Sequence, residues 1–389
     1  MAAPVTSRSS PRRVPSTAAA ISAAVNLTSA TVSGTTVSPV TRLPLIVLFG
    51  GRSAEHDISR ITARHVLAAI DPDRYEIEAI GIDHDGVWHR AEAALAALAQ
   101  GPDALPEALV VEGPPVDPYA LLSRPEVVVL PLLHGPNGED GTVQGLFEVT
   151  GATYVGSGVL GSAVAMDKIT AKHLADAVGF AQADWIGLHR SEVTGARLES
   201  ALELLCERLP FPMFVKPANM GSSIGVSKAA DVEGLRAAID LALEYDEWIL
   251  VEEGVIAREI EVAVLGHTTS ARASVPGEIV PGAEFYDFED KYTDGVAKLH
   301  IPAPLPDEIT EAVRMLAVQV FRAYRAEGLA RVDFFHEENG RGLLLNEINT
   351  MPGFTPISMY PQMWQATGLT YRALIDELIT LALERAGRA

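Results

Sequence analysis

From residue 43 onward the chain alternates between short apolar runs that read as strands and stripes of 3.6-residue period that read as helices. Residues 45–49 form an apolar run ending at Gly50-Gly51, and Ser53-Ala54-Glu55 leads into a helical stretch through residue 70 with an acid in its first turn. Residues 75–82 read as the next strand. After a softer Ala- and Pro-rich region, 126–133 is a buried strand whose end carries His134-Gly135-Pro136-Asn137-Gly138-Glu139-Asp140-Gly141 before a helix from Thr142. These elements predict an α/β domain over 43–160. Lys168 opens a helix, 211–216 is a strand, and Gly221-Ser222-Ser223-Ile224-Gly225 is a glycine- and serine-rich turn into another strand. Residues 248–252, 259–265, 330–335 and 343–349 read as further strands, making the C-terminal half an antiparallel sheet with helices packed on it. The expected division is a tail over 1–42, the first domain, and a second unit over 161–389, split into 161–235 and 236–389. No internal repeat is visible.

Composition narrows the function. A chain of 389 residues implies two or three compact units. Its 51 acidic against 30 basic residues give a net charge of −21, which opposes phosphate-backbone attraction and argues against nucleic acid as the main partner. Apolar runs fall short of the roughly 18 residues that span a bilayer. A single cysteine, Cys206, rules out an internal disulfide framework and any multi-cysteine metal site, so a reducing, cytoplasmic setting is expected. No acid precedes Glu55, whereas Arg8, Arg12, Arg13 and Arg42 lie among Ser, Thr, Ala and Pro. That segment reads as a disordered tail, an over-extended start or a targeting peptide.

The richest local pattern is a hairpin over 330–349, with Asn339-Gly340 as its turn signal. Period two puts Glu347 and Asn349 on one face, and a turn of Asn339-Gly340-Arg341 sets Asp333 opposite Glu347. Like charges so placed repel unless a cation lies between them. Oxygen-only donors suit magnesium; a hairpin with one solvated face is the plainer account. Lys168 at a helix start and Lys216 at a strand end are placed to reach anionic oxygens, and the Gly221–Gly225 turn could fold its N–H groups over phosphates. No GxxxxGK[ST] occurs and no GxGxxG follows the first strand, so another phosphate-binding architecture is required.

Lys168, Lys216, the Gly221-Ser222-Ser223 loop, Glu252, Asp333, Glu347 and Asn349 resemble the ATP-grasp fold. With Gly50-Gly51-Arg52-Ser53-Ala54-Glu55, His134-Gly135, Gly138-Glu139-Asp140-Gly141, the stretch 285–292 and Asn349-Thr350-Met351-Pro352-Gly353-Phe354-Thr355, the chain resembles the D-alanine–D-alanine ligase family over about 44–385. The resemblance implies an ATP-grasp fold behind a pre-ATP-grasp, Rossmann-like α/β domain. It implies ligation of two D-alanines through an acyl phosphate for peptidoglycan precursor synthesis, with ATP and two Mg2+ ions (Mn2+ as substitute), and a homodimer. By the resemblance, Glu55 holds the ammonium of the first D-alanine and His134 lines that pocket. Arg331 and the Gly353 N–H stabilise the acyl phosphate and tetrahedral intermediate, while Ser222, Ser358 and the Met359 backbone place the second substrate. Lys168 and Lys216 take phosphates, Glu252 the adenine amino group and Glu259 the ribose; Glu253 counts with the nucleotide residues. Asp333, Glu347 and Asn349 hold metal.

The segment 276–304 matches the family's ω-loop, with Lys291 reaching the γ-phosphate and Tyr292 linked to Ser222 and Glu55. A tyrosine there goes with D-alanine as second substrate, where depsipeptide-forming relatives typically have histidine. Phe288 stands where many relatives have tyrosine. The rival readings are a D-Ala–D-Lac or D-Ala–D-Ser ligase, and a non-catalytic nucleotide sensor of the same fold.

Overall fold

The computed structural model describes residues 42–280 and 298–389. The N-terminal tail other than Arg42, and the core of the expected ω-loop with Lys291 and Tyr292, lie outside them.

Strands β1 (Leu43–Gly50), β2 (Tyr75–Ile82), β3 (Trp88–Arg90), β4 (Val128–Pro131) and β5 (Thr153–Tyr154) form a sheet in the order β3-β2-β1-β4-β5. All its pairings are parallel except that of β3 with β2. The run that predicted β1 is apolar on both faces because both are covered: Leu45, Val47 and Phe49 enter one core, Ile46 and Leu48 another. Helix His56–Ala69 packs Ala63, Val66 and Leu67 on the first face, and helix Thr142–Thr150 packs Phe147 on the second.

A second sheet contains β6 (Trp185–His189), β7 (Met213–Pro217), β8 (Ser227–Ala229) and β9 (Trp248–Glu253), ordered β6-β9-β7-β8 and wholly antiparallel. Helices Leu198–Arg208 and Val232–Tyr245 close its core with Leu202, Leu205, Leu235 and Ile239. This corrects one expectation. The sequence pattern places residues 248–252 with the C-terminal strands, yet β9 lies between β6 and β7; an apolar run identifies a strand but not its neighbours.

The third sheet holds β10 (Arg258–Gly266), β11 (Arg272–Ala273), β12 (Gly277–Val280), β13 (Lys298–His300), β14 (Gly328–Glu337) and β15 (Gly342–Asn349). Its order is β13-β12-β10-β14-β15, with β11 on β10. Helix Asp307–Ala323 seats Val313, Ala317, Val320 and Phe321 on one face. Helices Met359–Ala366 and Tyr371–Arg385 cover the other, with Tyr360, Trp364, Leu374 and Leu378 in the same core as Leu45 and Val47 of the first sheet. Residues Thr41–Ala389 accordingly cluster as one compact unit. Among the described residues no helix is long and apolar enough to cross a membrane.

The β14–β15 hairpin pairs Asp333 with Glu347, as the pattern predicts, but by another route. Its last pair is Glu337 with Gly342, so the connection is four residues, Glu338 to Arg341, rather than three. A bulge after Asp333 leaves Asn346 as an extra residue and restores the register.

Candidate active site

The first sheet ends in a corner that only glycine permits. Gly50 and Gly51 have φ of 89° and 102°, and a Cβ on Gly50 would meet the Ile82 carbonyl oxygen at 2.2 Å. The reversed chain brings Ser53 to His134, where its Oγ donates to the carbonyl at 2.6 Å and accepts from Glu55 N at 3.2 Å. Glu55 thus sits at the N-cap of helix His56–Ala69, one place before the first turn, and its side chain makes no capping bond. Oε1 instead accepts from Ser222 Oγ, while Oε2 is buried without a hydrogen-bond partner. Gly135 and Gly221 leave room for that oxygen, since a Cβ on either would come within 2.7 or 2.8 Å of it.

His134 adds a second open acceptor. Its Nδ1–H donates to Met351 O at 3.1 Å, which fixes the tautomer, and Nε2 is buried without a partner. Burial pulls its pKa below the ordinary value against the pull of nearby Glu55, which keeps the ring neutral. Glu139, whose Oε1 accepts from Gly135 N at 2.7 Å, is pushed up to about 8 by burial and by Glu55. It is a site residue within Gly138-Glu139-Asp140-Gly141 whose role the sequence pattern alone does not suggest.

Across the cleft the charges invert. Asp167 caps helix Lys168–Val178 by accepting from Thr170 N at 2.7 Å, and this sets Lys168 at the helix start with Nζ donating to Met220 O at 2.5 Å. Lys168, Lys172, Lys216, Glu252 and Glu347 line one cavity. Glu252, on β9, pairs with Lys216, on β7, and lies 3.1 Å from Lys172 Nζ. Burial alone would raise the Glu252 carboxyl, but Lys216 and then Lys172 hold it down to about 2. Burial likewise pulls Lys216 down, and Glu252 overcomes it, leaving that lysine raised; Lys168 is lowered, chiefly by burial. Lys172 was missed by the sequence reading, although its place one helical turn beyond Lys168 was a usable signal.

Glu253 does not join this group. Its Oε1 accepts from Asp184 N at 2.9 Å and pairs with Arg341 at 2.5 Å, tying the hairpin turn to the second sheet. Side chains alternate along β9, so neighbours 252 and 253 point to opposite faces. Glu259 lies on β10 two residues from Glu261, on the same face.

On the third sheet Arg331 grips Asp333 with two hydrogen bonds, at 2.8 and 2.6 Å, and lies 3.1 Å from Glu261. Burial opposes its charge, yet Asp333 and Glu261 hold the guanidinium well above its ordinary pKa. Asn349, in register with Arg331, donates Nδ2 to Asp333 at 3.0 Å and to Glu347 at 3.5 Å. Among the described residues no three His, Cys, Asp or Glu side chains gather as a metal cage. Two carboxylates and, once the Asn349 amide is turned over, its oxygen nonetheless fit magnesium, which usually takes one or two protein carboxylates and completes its shell with water and phosphate. Beyond β15 the chain turns through Gly353 to Ser358, whose Oγ is 2.8 Å from Thr355 Oγ1 and 3.2 Å from where a Gly353 Cβ would stand. Ser358 precedes helix Met359–Ala366.

Two antiparallel sheets closing on a lysine-lined cleft, behind a mostly parallel sheet that carries a buried carboxylate, make this an enzyme of ATP-grasp architecture. Residues 44–157 match the family described as D-ala D-ala ligase N-terminus, and residues 174–380 that described as D-ala D-ala ligase C-terminus. The chain is 48% identical over 373 residues to the D-alanine–D-alanine ligase of Paenarthrobacter aurescens, covering 90% of this chain and 97% of that protein. It is 44% identical over 365 residues to that of Acetivibrio thermocellus, covering 88% and 96%. Its fold is similar to the solved D-alanine–D-alanine ligase from Coxiella burnetii, with TM-score 0.73, 35% identity and coverage of 89% and 95%. It is similar also to the VanG D-Ala:D-Ser ligase from Enterococcus faecalis, with TM-score 0.75, 32% identity and coverage of 88% and 100%. The chain belongs to the D-alanine–D-alanine ligase family.

Proposed function

We propose that the protein joins two D-alanine molecules into D-alanyl-D-alanine at the expense of ATP, for cell-wall precursor synthesis. The observation that carries this is the pair of buried, unpartnered acceptors, Glu55 Oε2 and His134 Nε2. Leaving such groups unmade costs about 1–3 kcal/mol each or more, and an amino acid's ammonium supplies the missing donors. The lysine cleft across from them is suited to the phosphates of ATP.

In this reading a carboxylate oxygen of the first D-alanine attacks the γ-phosphorus, the bond to ADP breaks, and an acyl phosphate forms. The amine of the second D-alanine, having lost a proton, then attacks the acyl carbon and phosphate leaves. Lys168 and Lys216 hold phosphoryl oxygens, Glu252 accepts the adenine amino group and Glu259 the ribose hydroxyls. Asp333, Glu347 and Asn349, with the Asn349 amide turned oxygen-inward, would hold magnesium, which neutralises phosphate charge when bound. Arg331 and the Gly353 N–H face the developing oxyanion. Ser222, Ser358 and the Met359 backbone seat the second substrate, while Lys291 and Tyr292, outside the described residues, are assigned to the γ-phosphate and the second substrate by the family resemblance. Tyr292 is the ground for D-alanine as that second substrate.

The test is purified protein with magnesium-ATP and D-alanine, with and without competing D-lactate or D-serine, following ADP and weighing the product. D-Ala–D-Ala with ADP in equal amount supports the reading. A depsipeptide or D-Ala–D-Ser product would change the second substrate, and nucleotide binding without ADP would reduce the protein to a sensor.

A further inference from the structure

Lys172 is a cation that the reading above does not use. It is 4% exposed, one turn past Lys168, and its own carbonyl accepts from Gln182 Nε2 at 2.9 Å, so the helix is tied where it carries this side chain. Glu252, 2% exposed, is already neutralised through Oε1 by Lys216. A second buried ammonium therefore adds desolvation cost without being needed for charge balance, and an apolar side chain of similar size would serve packing as well. Lys172 Nζ lies 3.1 Å from Glu252 Oε2, a contact that takes at most one of that oxygen's two lone pairs. Lys172 thus pins the carboxylate by charge while leaving a lone pair of Oε2 open. Buried Leu250 and Leu345 line the same cavity, giving it apolar walls beside this polar end.

A slot with apolar walls and an open carboxylate oxygen suits a flat ring whose edge donates a hydrogen bond. Adenine presents a 6-amino donor, whereas guanine presents an acceptor oxygen at that place, which the carboxylate would repel. We propose that Lys172 is a positioning residue for base selection: it holds Glu252 with Oε2 open toward the 6-amino group, and so sets the preference for ATP over nucleotides without that donor. The inference rests on the ATP-dependent ligase reading and adds how the base is chosen.

The experiment measures KM and kcat for ATP and for purine riboside 5′-triphosphate, which lacks the 6-amino group, using the full chain and D-alanine. Wild type should favour ATP by about tenfold or more in kcat/KM, as a site built around a donor rejects the analogue without it. Lys172→Met should raise KM for ATP about tenfold, leave kcat within about twofold, and remove most of the gap between the nucleotides. Lys172→Arg, which keeps the charge, should recover part of it. Equal loss on both nucleotides, or a fall in kcat alone, would overturn the proposal, since a merely structural lysine gives that result. Wild type that uses both nucleotides equally well would overturn it too, even if the Met variant does not fold. Dipeptide made without nucleotide discrimination defeats this inference alone; no dipeptide with ATP defeats the ligase reading with it.

Discussion

Lys168 interacts electrostatically with both Glu252 and Glu139, and the fold drives these two carboxyls in opposite directions. Burial opposes ionisation of each. At Glu252 two lysines overcome it and the carboxyl falls to about 2; at Glu139 the neighbouring Glu55 adds to it and the carboxyl rises to about 8. The nucleotide side is therefore built with cations in excess and the amino side with acceptors in excess. Each side carries the charge opposite to the ligand proposed for it, a local field set in place by the fold. The two sides should then fail independently.

The largest expected effect lies where they meet. Asp333→Asn or Glu347→Gln removes one member of the facing carboxylate pair, and should lower kcat/KM by about 10³-fold with a raised magnesium requirement. A magnesium titration of ADP release checks it, and an unaltered requirement would remove the ion from this hairpin. Asp333→Asn also weakens the hold on Arg331, which keeps its ion pair with Glu261 on the neighbouring β10, so thermal melting should accompany the kinetics to separate folding from chemistry.

Next in size is Glu55→Gln. It keeps an oxygen for Ser222 but replaces the carboxylate that faces an ammonium, and should raise KM for D-alanine about 100-fold while KM for ATP stays within about twofold. Equal loss for both substrates would mean that the two sides are not separable. Tyr292→His, outside the described residues, should shift product from dipeptide toward depsipeptide at neutral pH when D-lactate competes. An unchanged ratio, read by mass, would deprive that residue of its role.

How much of this was legible in the sequence differs between the two sides for a physical reason. Period and turn chemistry are local, so β1, the helix at Lys168 and the Asp333–Glu347 pairing could be read directly. Even there the register hid two compensating irregularities, a longer turn and a bulge at Asn346, because alternation in Leu343-Leu344-Leu345 does not distinguish faces. The partners of β9 could not be read, since strand order is set by long-range packing. Nor could the roles of Lys172 and Glu139. A lone lysine in a helix is usually solvated, and Glu139 acquires its raised pKa only where the fold brings Glu55 beside it. The open valence of His134 likewise depends on Met351, from the far end of the chain.

The smallest effect is also the most direct probe of the opposed fields, because it needs no substrate. The Glu139 carboxyl, ordinarily near 4.5, keeps its proton in the folded protein until about pH 8. Between those values the unfolded chain binds fewer protons than the native one, so stability must fall as pH rises through the window. Glu252 has the reverse sign: its folded value of about 2 lies below the ordinary 4.5, so its contribution is complete above 4.5 and is lost as pH falls toward 2. Replacing Glu139 by Gln, which cannot ionise, should cancel the alkaline loss and leave the acid limb intact. Denaturant midpoints at pH 5 and pH 8.5 measure this, with the variant gaining on wild type at the higher pH by more than about 1 kcal/mol, since one pKa unit corresponds to about 1.4 kcal/mol. If the variant and wild type change in parallel, Glu139 is ionised in the folded protein, and burial beside Glu55 does not hold its proton on.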